Sequence, residues 1–178
     1  MQPKKIIEYI RGFDTDHVTV RNTGKSAKIW IKGYKNGNLQ NAAHLTIMFE
    51  PNSTVYLASG ETERNFRKSH KKYGTVIRAL ATRAAILGNA NKVTHHGMNE
   101  ERLVLKQHAK KLGLTEANAI SRMLRRDPNF LKNLPPPIST QIVRKLGFRN
   151  DPTNKNKSVF YRNMNTKKLN EVLNEWRS

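Results

Sequence analysis

Cysteine is absent from the 178-residue sequence, so neither disulfide bonds nor thiolate-ligated zinc sites can form. This excludes the zinc-finger classes of DNA-binding protein and fits a reducing compartment. Long hydrophobic runs are also missing, and residues 1–9 (MQPKKIIEY) lack the apolar core of a signal peptide. We therefore expect a cytoplasmic protein, nucleoid-associated if prokaryotic or viral, that does not bind membranes.

Acidic residues are scarce: 13 Asp and Glu stand against 33 Lys and Arg, for a net charge of +20. Residues 1–90 carry +9 and the remainder +11, so no detachable basic tail explains the total. Charge spread over a whole chain suits a partner with many phosphates. The expected partner is double-stranded DNA, with RNA as the alternative, and the protein could act as a homodimer. Aromatic residues, at 7%, permit base stacking without requiring it.

The first half of the sequence predicts a small antiparallel sheet followed by a helix. Short runs of alternating apolar residues, separated by turn-forming groups such as Asn36-Gly37, predict strands at 18–21, 27–34, 43–50 and 54–58. From residue 61 to about 87 the apolar period becomes helical. The opposite side of this helix would carry a basic stripe for DNA phosphates: Arg64, Arg67, Lys68, Lys71, Lys72 and Arg78.

The second half predicts mainly helices. Residues 91–98 are polar and flanked by glycine, as in a linker, so we divide the chain into units at 1–90 and 99–178. Helices are expected at 99–112, 115–126, 139–146 and 165–176, each with a capping residue. The predicted fold class is α+β: a small antiparallel sheet covered by a long basic helix, then a helix-turn-helix or winged-helix unit.

Residues 105–124 carry the local pattern behind that second unit. Ala109 and Gly113 have the spacing of the small residue and the turn glycine between two crossing helices. Ile120 and Met123 supply apolar positions in the second helix, one residue later than usual. This segment resembles the helix-turn-helix of DNA-binding regulators, and residues 139–176 resemble the rest of a winged-helix unit.

The resemblance implies a base-reading face on the second helix and phosphate contacts around it. The residues expected to read bases are Asn118, Ser121, Arg122 and Arg125. Those expected to bind phosphates, besides the basic stripe, are Arg102, Lys106, Lys110, Arg126, Arg149, Lys155 and Lys157. The alternative is an ordinary helical hairpin with a solvated charged face.

The amino-terminal sheet offers another possible DNA-binding surface. Arg21, Lys25, Lys28 and Lys32 would serve if their face is exposed, but the sequence does not assign the face. The same sheet could instead bind a protein partner or a second copy of the chain.

Motifs for catalysis or metal binding are weak. Gly24-Lys25-Ser26 lacks the earlier glycine of a phosphate-binding loop, since position 19 is Thr. His95-His96 lacks the downstream residues of a one-metal nuclease motif, and adjacent histidines in a Gly-bounded loop are usually exposed. Asp14 to His17 could supply metal ligands but reads as a turn before a strand. We therefore expect no catalytic residue, metal or cofactor, with a metal-dependent nuclease as the minor alternative.

These patterns together predict a sequence-specific DNA-binding transcriptional regulator, a repressor in the simplest case. Small basic proteins of phages and mobile elements are similar in outline, including DNA-binding parts of homing endonucleases without a nuclease domain. An RNA-binding or ribosome-associated protein is the main rival.

Overall fold

The computed structural model describes residues 1–67, 71–97, 101–132 and 134–178, with the side chains of 101–103, 131, 132 and 154–156 outside the description. The strands are β1 (Val18–Asn22), β2 (Ser26–Lys35), β3 (Asn38–Glu50), β4 (Thr54–Thr62), β5 (Lys92–His96), β6 (Arg149–Asp151) and β7 (Asn154–Tyr161). The α-helices are α1 (Pro3–Phe13), α2 (Tyr73–Leu87), α3 (Glu101–Lys111), α4 (Glu116–Leu124), α5 (Pro128–Lys132), α6 (Ile138–Lys145) and α7 (Lys167–Arg177). A short 3₁₀ helix covers Arg64–Phe66.

One seven-stranded sheet runs through both halves of the chain, in the order β1-β2-β3-β4-β5-β7-β6. β4 and β5 are parallel, and the other neighbouring strands are antiparallel. The predicted fold class, a small antiparallel sheet followed by a separate helix-turn-helix or winged-helix unit, is therefore wrong. The carboxyl-terminal strands complete the amino-terminal sheet instead of forming a wing, because β7 pairs with β5.

The segment expected to be a linker, residues 91–98, contains β5 in the interior of the sheet. Val93 is fully buried, and its Cα pairs with that of Phe160 on β7 and that of Val55 on β4. Polar neighbours and flanking glycines obscured this strand, whose β-branched Val93 and Thr94 were the available signal.

The main hydrophobic core lies on one face of the sheet, where α1, α2, α6 and α7 contribute buried side chains. Along β2, Ala27, Ile29 and Ile31 are fully buried. Successive side chains of a strand point to opposite faces, so Lys28, Trp30 and Lys32 project from the other face.

The helix predicted for residues 61–87 begins only at Tyr73. β4 continues to Thr62, and Lys72 has a left-handed backbone, with φ +45° and ψ 47°, that no α-helix can pass through. The amino-terminal α1 was not predicted, although Ile6, Ile10 and Phe13 recur at helical spacing and are buried.

α3, α4 and α5 form an insertion with its own small core. Leu105, Ala109, Ala119 and Phe130 are buried together in it. The turn after α3 contains Gly113 at φ +65°, so the local hairpin expected from sequence does form. Among the described helices, none combines the length and the hydrophobicity that a membrane span requires.

Candidate ligand cleft

A cleft of about 730 Å³ opens where β4 and β5 separate. The two strands pair from Thr54 with Lys92 to Leu57 with His95, and then β5 ends while β4 continues to Thr62. The cleft is lined by residues 58–62 of β4, 72–75 and 78 at α2, 95–97 after β5, 138, 139 and 142 of α6, and His44, Phe66 and Arg67.

A β-bulge in β4 lies at the point of separation. Thr46 pairs with Ser59 while the next residue, Ile47, pairs with Leu57, which leaves Ala58 as an extra residue. Bulges bend a strand and re-aim its side chains, and they are common beside functional sites. Beyond the bulge, no described strand pairs with the side of residues 58–62 that faced β5. Arg78 and Arg67 already donate hydrogen bonds to the Gly60 and Thr62 carbonyls of this stretch, so an extended ligand would pair with the remaining backbone groups of the edge.

The amino terminus of α2 forms one wall of the cleft. Tyr73, Gly74 and Thr75 in its first turn all line it, and this turn contains no acidic residue. First-turn amides and the helix dipole make such an end favourable for an anion. Exposed Lys72 and Arg67 add positive charge nearby, although Arg67 also pairs with Glu61 at 2.8 Å.

Gly74 brings α2 close to β4. A Cβ at this position would lie 2.7 Å from the Thr62 side-chain oxygen, so a larger residue would require the Thr62 side chain to rotate or the helix to shift. The close approach sets the width of the cleft at its cationic end.

The buried Arg78 side chain links α2 to β4. It is 4% exposed and donates hydrogen bonds to the carbonyls of Gly74, at 2.9 Å, and Gly60, at 3.5 Å. The guanidinium therefore supplies buried positive charge to the cleft, and Arg78 does not lie on an exposed stripe as expected from the sequence.

His95 and His96 stand at the opposite wall. His95 is 5% exposed, and neither ring nitrogen meets the geometry of a hydrogen bond with a described residue. Burial, followed by the positive charge of Arg78, lowers the pKa of His95 to about 4, and the nearby Leu57 backbone offsets this only in part. His95 is therefore neutral at pH 7. His96 is half-buried and connects this wall to solvent.

Two hydroxyl groups continue the polar region behind His95. Ser158, fully buried, is the Cα partner of His95 across β5 and β7. Thr140, also fully buried, lies at Gly97. Neither side-chain oxygen has a hydrogen-bond partner among the described residues. Neither residue is among those that line the cleft, so these hydroxyl groups lie behind its wall.

The phosphate-binding residues predicted from sequence do not form one stripe. Arg67, Lys72 and Arg78 meet at the cleft, whereas Lys71 lies over the Trp176 ring at 5.3 Å. Arg64 is exposed on the 3₁₀ helix, and Lys68 is outside the described residues.

The predicted base-reading residues lie on the insertion, away from these cleft residues. Asn118, Arg122 and Arg125 are exposed, and Ser121 is half-buried; Arg125 follows the last residue of α4. The nearby Lys106, Lys110 and Arg126 are also exposed, whereas the Arg102 side chain is outside the description.

The residues expected on a wing lie at the far edge of the sheet. Arg149 on β6 is exposed, and Lys157 on β7 lies 3.7 Å from Asp151. The Lys155 side chain is outside the description.

Sequence reasoning missed the cleft itself. It treated His95 and His96 as an exposed loop, and it placed Arg78 on a solvated helix face. Within the described residues, no group of three or more His, Asp or Glu side chains could hold a metal ion. Asp14 instead contacts His17 at 3.0 Å and the Trp176 indole at 2.9 Å, tying the two ends of the chain together.

Comparison with known proteins leaves the family open. No family model and no curated protein matches the chain. One solved structure with a match is the crystal structure of nourseothricin acetyltransferase, with 16% identity over 45% of this chain and 58% of that chain. Its TM-score of 0.33 is too low for the match to carry an argument about function.

Proposed function

We propose that the cleft binds a phosphate-bearing acyl carrier of the coenzyme A type and that the protein transfers the acyl group to an amine. The carrying observation is the order of groups along the cleft: a cationic helix terminus, an unpaired strand edge and a histidine-lined wall. This departs from the sequence-based expectation of a protein without catalytic residues or cofactor.

The helix end supports the phosphate part of this ligand class. The amides of the first turn of α2 favour anions, and Lys72 and Arg67 supply positive charge at the mouth of the cleft. Inorganic phosphate alone would satisfy these groups, so this end by itself does not select an acyl carrier.

The strand edge supports the extended part. A chain with amide groups can pair with those backbone groups of residues 58–62 that neither β5 nor the Arg67 and Arg78 side chains engage, in the manner of an added strand. Coenzyme A joins phosphates to such an amide-containing arm and ends in a sulfur that carries acyl groups. A nucleoside triphosphate has phosphates but no amide arm, so it would leave the strand edge unused.

The wall of the cleft that contains His95 and His96 supports transfer of the acyl group to an amine. An acceptor nitrogen would form the new bond to the acyl carbon as the carbon–sulfur bond breaks. The proton that the amine loses passes to the leaving sulfur, so charge balances. Neutral His95 can accept a hydrogen bond from the acceptor amine and so orient it toward the acyl carbon.

The test adds a negative charge where the phosphates would sit. Thr75→Asp places a carboxylate in the first turn of α2, where it suits the helix dipole but repels a phosphate. We expect acetyl-coenzyme A, titrated calorimetrically, to bind the parent protein and to bind this variant at least about tenfold more weakly. Thr166→Asp, at the N-cap of α7 outside the cleft, makes the same substitution and should bind like the parent.

Catalysis is tested by release of free thiol from acetyl-coenzyme A in the presence of a panel of primary amines. Thiol release that depends on the amine and is lost in Thr75→Asp supports the proposal. Equal binding by both aspartate variants, or tighter binding of ATP than of acetyl-coenzyme A, would contradict it.

Nucleic-acid binding is the second candidate function, favoured by the net charge of +20. Within the insertion, Lys106, Lys110, Arg122, Arg125 and Arg126 are exposed, and none of them forms an ion pair with a described residue. A DNA-bound regulator of transcription, acting in the cytoplasm or at a nucleoid, remains the proposed form of this role. Affinity for DNA should then fall about 10³- to 10⁵-fold between about 50 and 200 mM salt, and a flat salt response would exclude it.

A further inference from the structure

The sheet has a second face that the main core does not use. Along β1 to β4, the side chains that alternate away from the core are exposed or half-buried, apart from Thr54 at the start of β4, which is buried. We call this surface the open face and define it by Arg21, Lys28, Trp30, Lys32, Met48 and Tyr56. Its orientation, which the sequence could not assign, follows from the burial of Ala27, Ile29 and Ile31 on the opposite side.

Strand register brings basic and aromatic side chains together on this face. Arg21 on β1 pairs with Lys28 on β2, and Met48 on β3 pairs with Tyr56 on β4. Directly paired residues of antiparallel strands share a face, about 5 Å apart. The Lys28 ammonium lies 5.3 Å from the centre of the Trp30 ring, so positive charge and an aromatic surface occupy one spot.

Positive charge exceeds negative charge on the open face. Arg21, Lys28 and Lys32 form no ion pair with a described residue. Glu50 borders the surface beside Tyr56, where its charge contributes, after burial, to a raised Tyr56 pKa. Glu61, whose register partner His44 is itself opposite Trp30, also lies on this face, but its carboxylate pairs with Arg67 at 2.8 Å. Three cations against Glu50 and an already paired Glu61 still favour an anionic occupant.

We propose that the open face binds single-stranded nucleic acid, with an unpaired base stacked on Trp30 and the phosphates held by Arg21, Lys28 and Lys32. Sheet surfaces with aromatic and basic residues suit splayed-out bases. A duplex fits less well, because the major groove admits a two-stranded ribbon whereas this face spans four adjacent strands. The proposal rests on the second candidate function and names its surface and partner.

The test compares a labelled 20-nucleotide oligothymidylate with a duplex of the same length by fluorescence anisotropy. Trp30→Ala should weaken oligothymidylate binding about 5- to 150-fold, the range expected for one stacked base. Lys28→Ala with Lys32→Ala should weaken it more than Lys4→Ala with Lys5→Ala, which removes the same charge from exposed positions on α1.

The fluorescence of Trp30 reports directly whether a base stacks on its ring. The protein has two tryptophans, so Trp176→Phe leaves Trp30 as the only tryptophan, and its emission should be quenched as oligothymidylate binds. Unchanged emission at saturation would overturn the proposal.

The two probes and the variants distinguish a wrongly assigned binding surface from the absence of nucleic-acid binding. If the protein binds neither probe, nucleic-acid binding itself is wrong. A second outcome is that the duplex binds more tightly than oligothymidylate, and that Arg122→Ala with Arg125→Ala removes binding while Trp30→Ala does not. Nucleic acid would then bind at the insertion, and the open-face proposal would be overturned. Equal loss in both lysine pairs also overturns it, since general charge would then suffice.

Discussion

The body of the protein and the helical insertion are built in different ways. The body core joins α1, α2, α6 and α7 to one face of the sheet, so both ends of the chain belong to a single core. The insertion, between Gly97 and Pro137, packs a local hairpin around Leu105, Ala109, Ala119 and Phe130. A unit made from neighbouring residues is readable from local sequence patterns, whereas one assembled from distant segments is not.

The largest expected effect separates the two cores. Leu169 on α7 is fully buried in the body, so Leu169→Ala should lower the free energy of unfolding by about 2 to 5 kcal/mol. Leu105→Ala, a matched deletion in the insertion, should affect mainly the insertion. Urea unfolding followed by tryptophan fluorescence reports the body, where both Trp30 and Trp176 lie, and amide hydrogen exchange reports each region separately. Equal loss of body stability in both variants would show that the two cores unfold as one.

Burial of His95 beside the cleft should lower the stability of the body at acid pH. As pH falls below about 6.5, His95 in the unfolded chain takes up a proton. In the folded protein its pKa is about 4, so protons favour the unfolded state between these values. Stability should fall by up to about 3 kcal/mol from pH 7 to pH 4 through this group, at about 1.4 kcal/mol per pKa unit.

His95→Gln removes the titrating group while keeping a polar side chain of similar reach. Urea unfolding of both proteins at pH 7, 6, 5 and 4 should give a shallower loss of stability for the variant. Parallel pH profiles would mean that His95 is not held neutral by burial.

Local structure was predictable to the extent that it depends on neighbouring residues. Turns at Gly24 and Gly37, both with positive φ, separate the first strands as expected. The hairpin around Gly113 was also readable. The pairing of β5 with β4 and β7 was not, because it joins residues far apart in the chain, and Lys92–His96 is too short to show a clear period.

The candidate cleft was hidden for the same reason. Its walls come from β4, α2, β5 and α6, and Arg78 and His95 look ordinary until those elements meet. Lys72 could not be placed either, since nothing in its neighbours requires a left-handed backbone at a lysine.

A smaller effect is expected at the start of α4. The Thr115 hydroxyl accepts a hydrogen bond from the Asn118 amide at 3.2 Å and caps the helix. Thr115→Ala should cost the insertion about 1 kcal/mol, whereas Thr115→Asp should retain the cap. Hydrogen exchange of the α4 amides measures both, and faster exchange throughout the sheet would mean that the insertion supports the body.

The smallest effect, on the stability of the body, should follow removal of the insertion. A Cβ on Gly97 would lie 2.9 Å from the Pro137 ring, so the chain leaves the body and returns to it at nearly the same point. A few glycines in place of residues 98–136 can therefore bridge the gap, and closure of so short a loop is entropically cheap. We expect the free energy of unfolding of the body, measured in urea, to change by no more than about 1 kcal/mol, since the buried residues of the body core all lie outside the insertion.

If the cleft and the open face work as proposed, the shortened protein should still bind acetyl-coenzyme A and oligothymidylate. Loss of folding would show that the insertion supports the body core, whereas loss of oligothymidylate binding alone would transfer nucleic-acid recognition to Arg122, Arg125 and the basic residues around them.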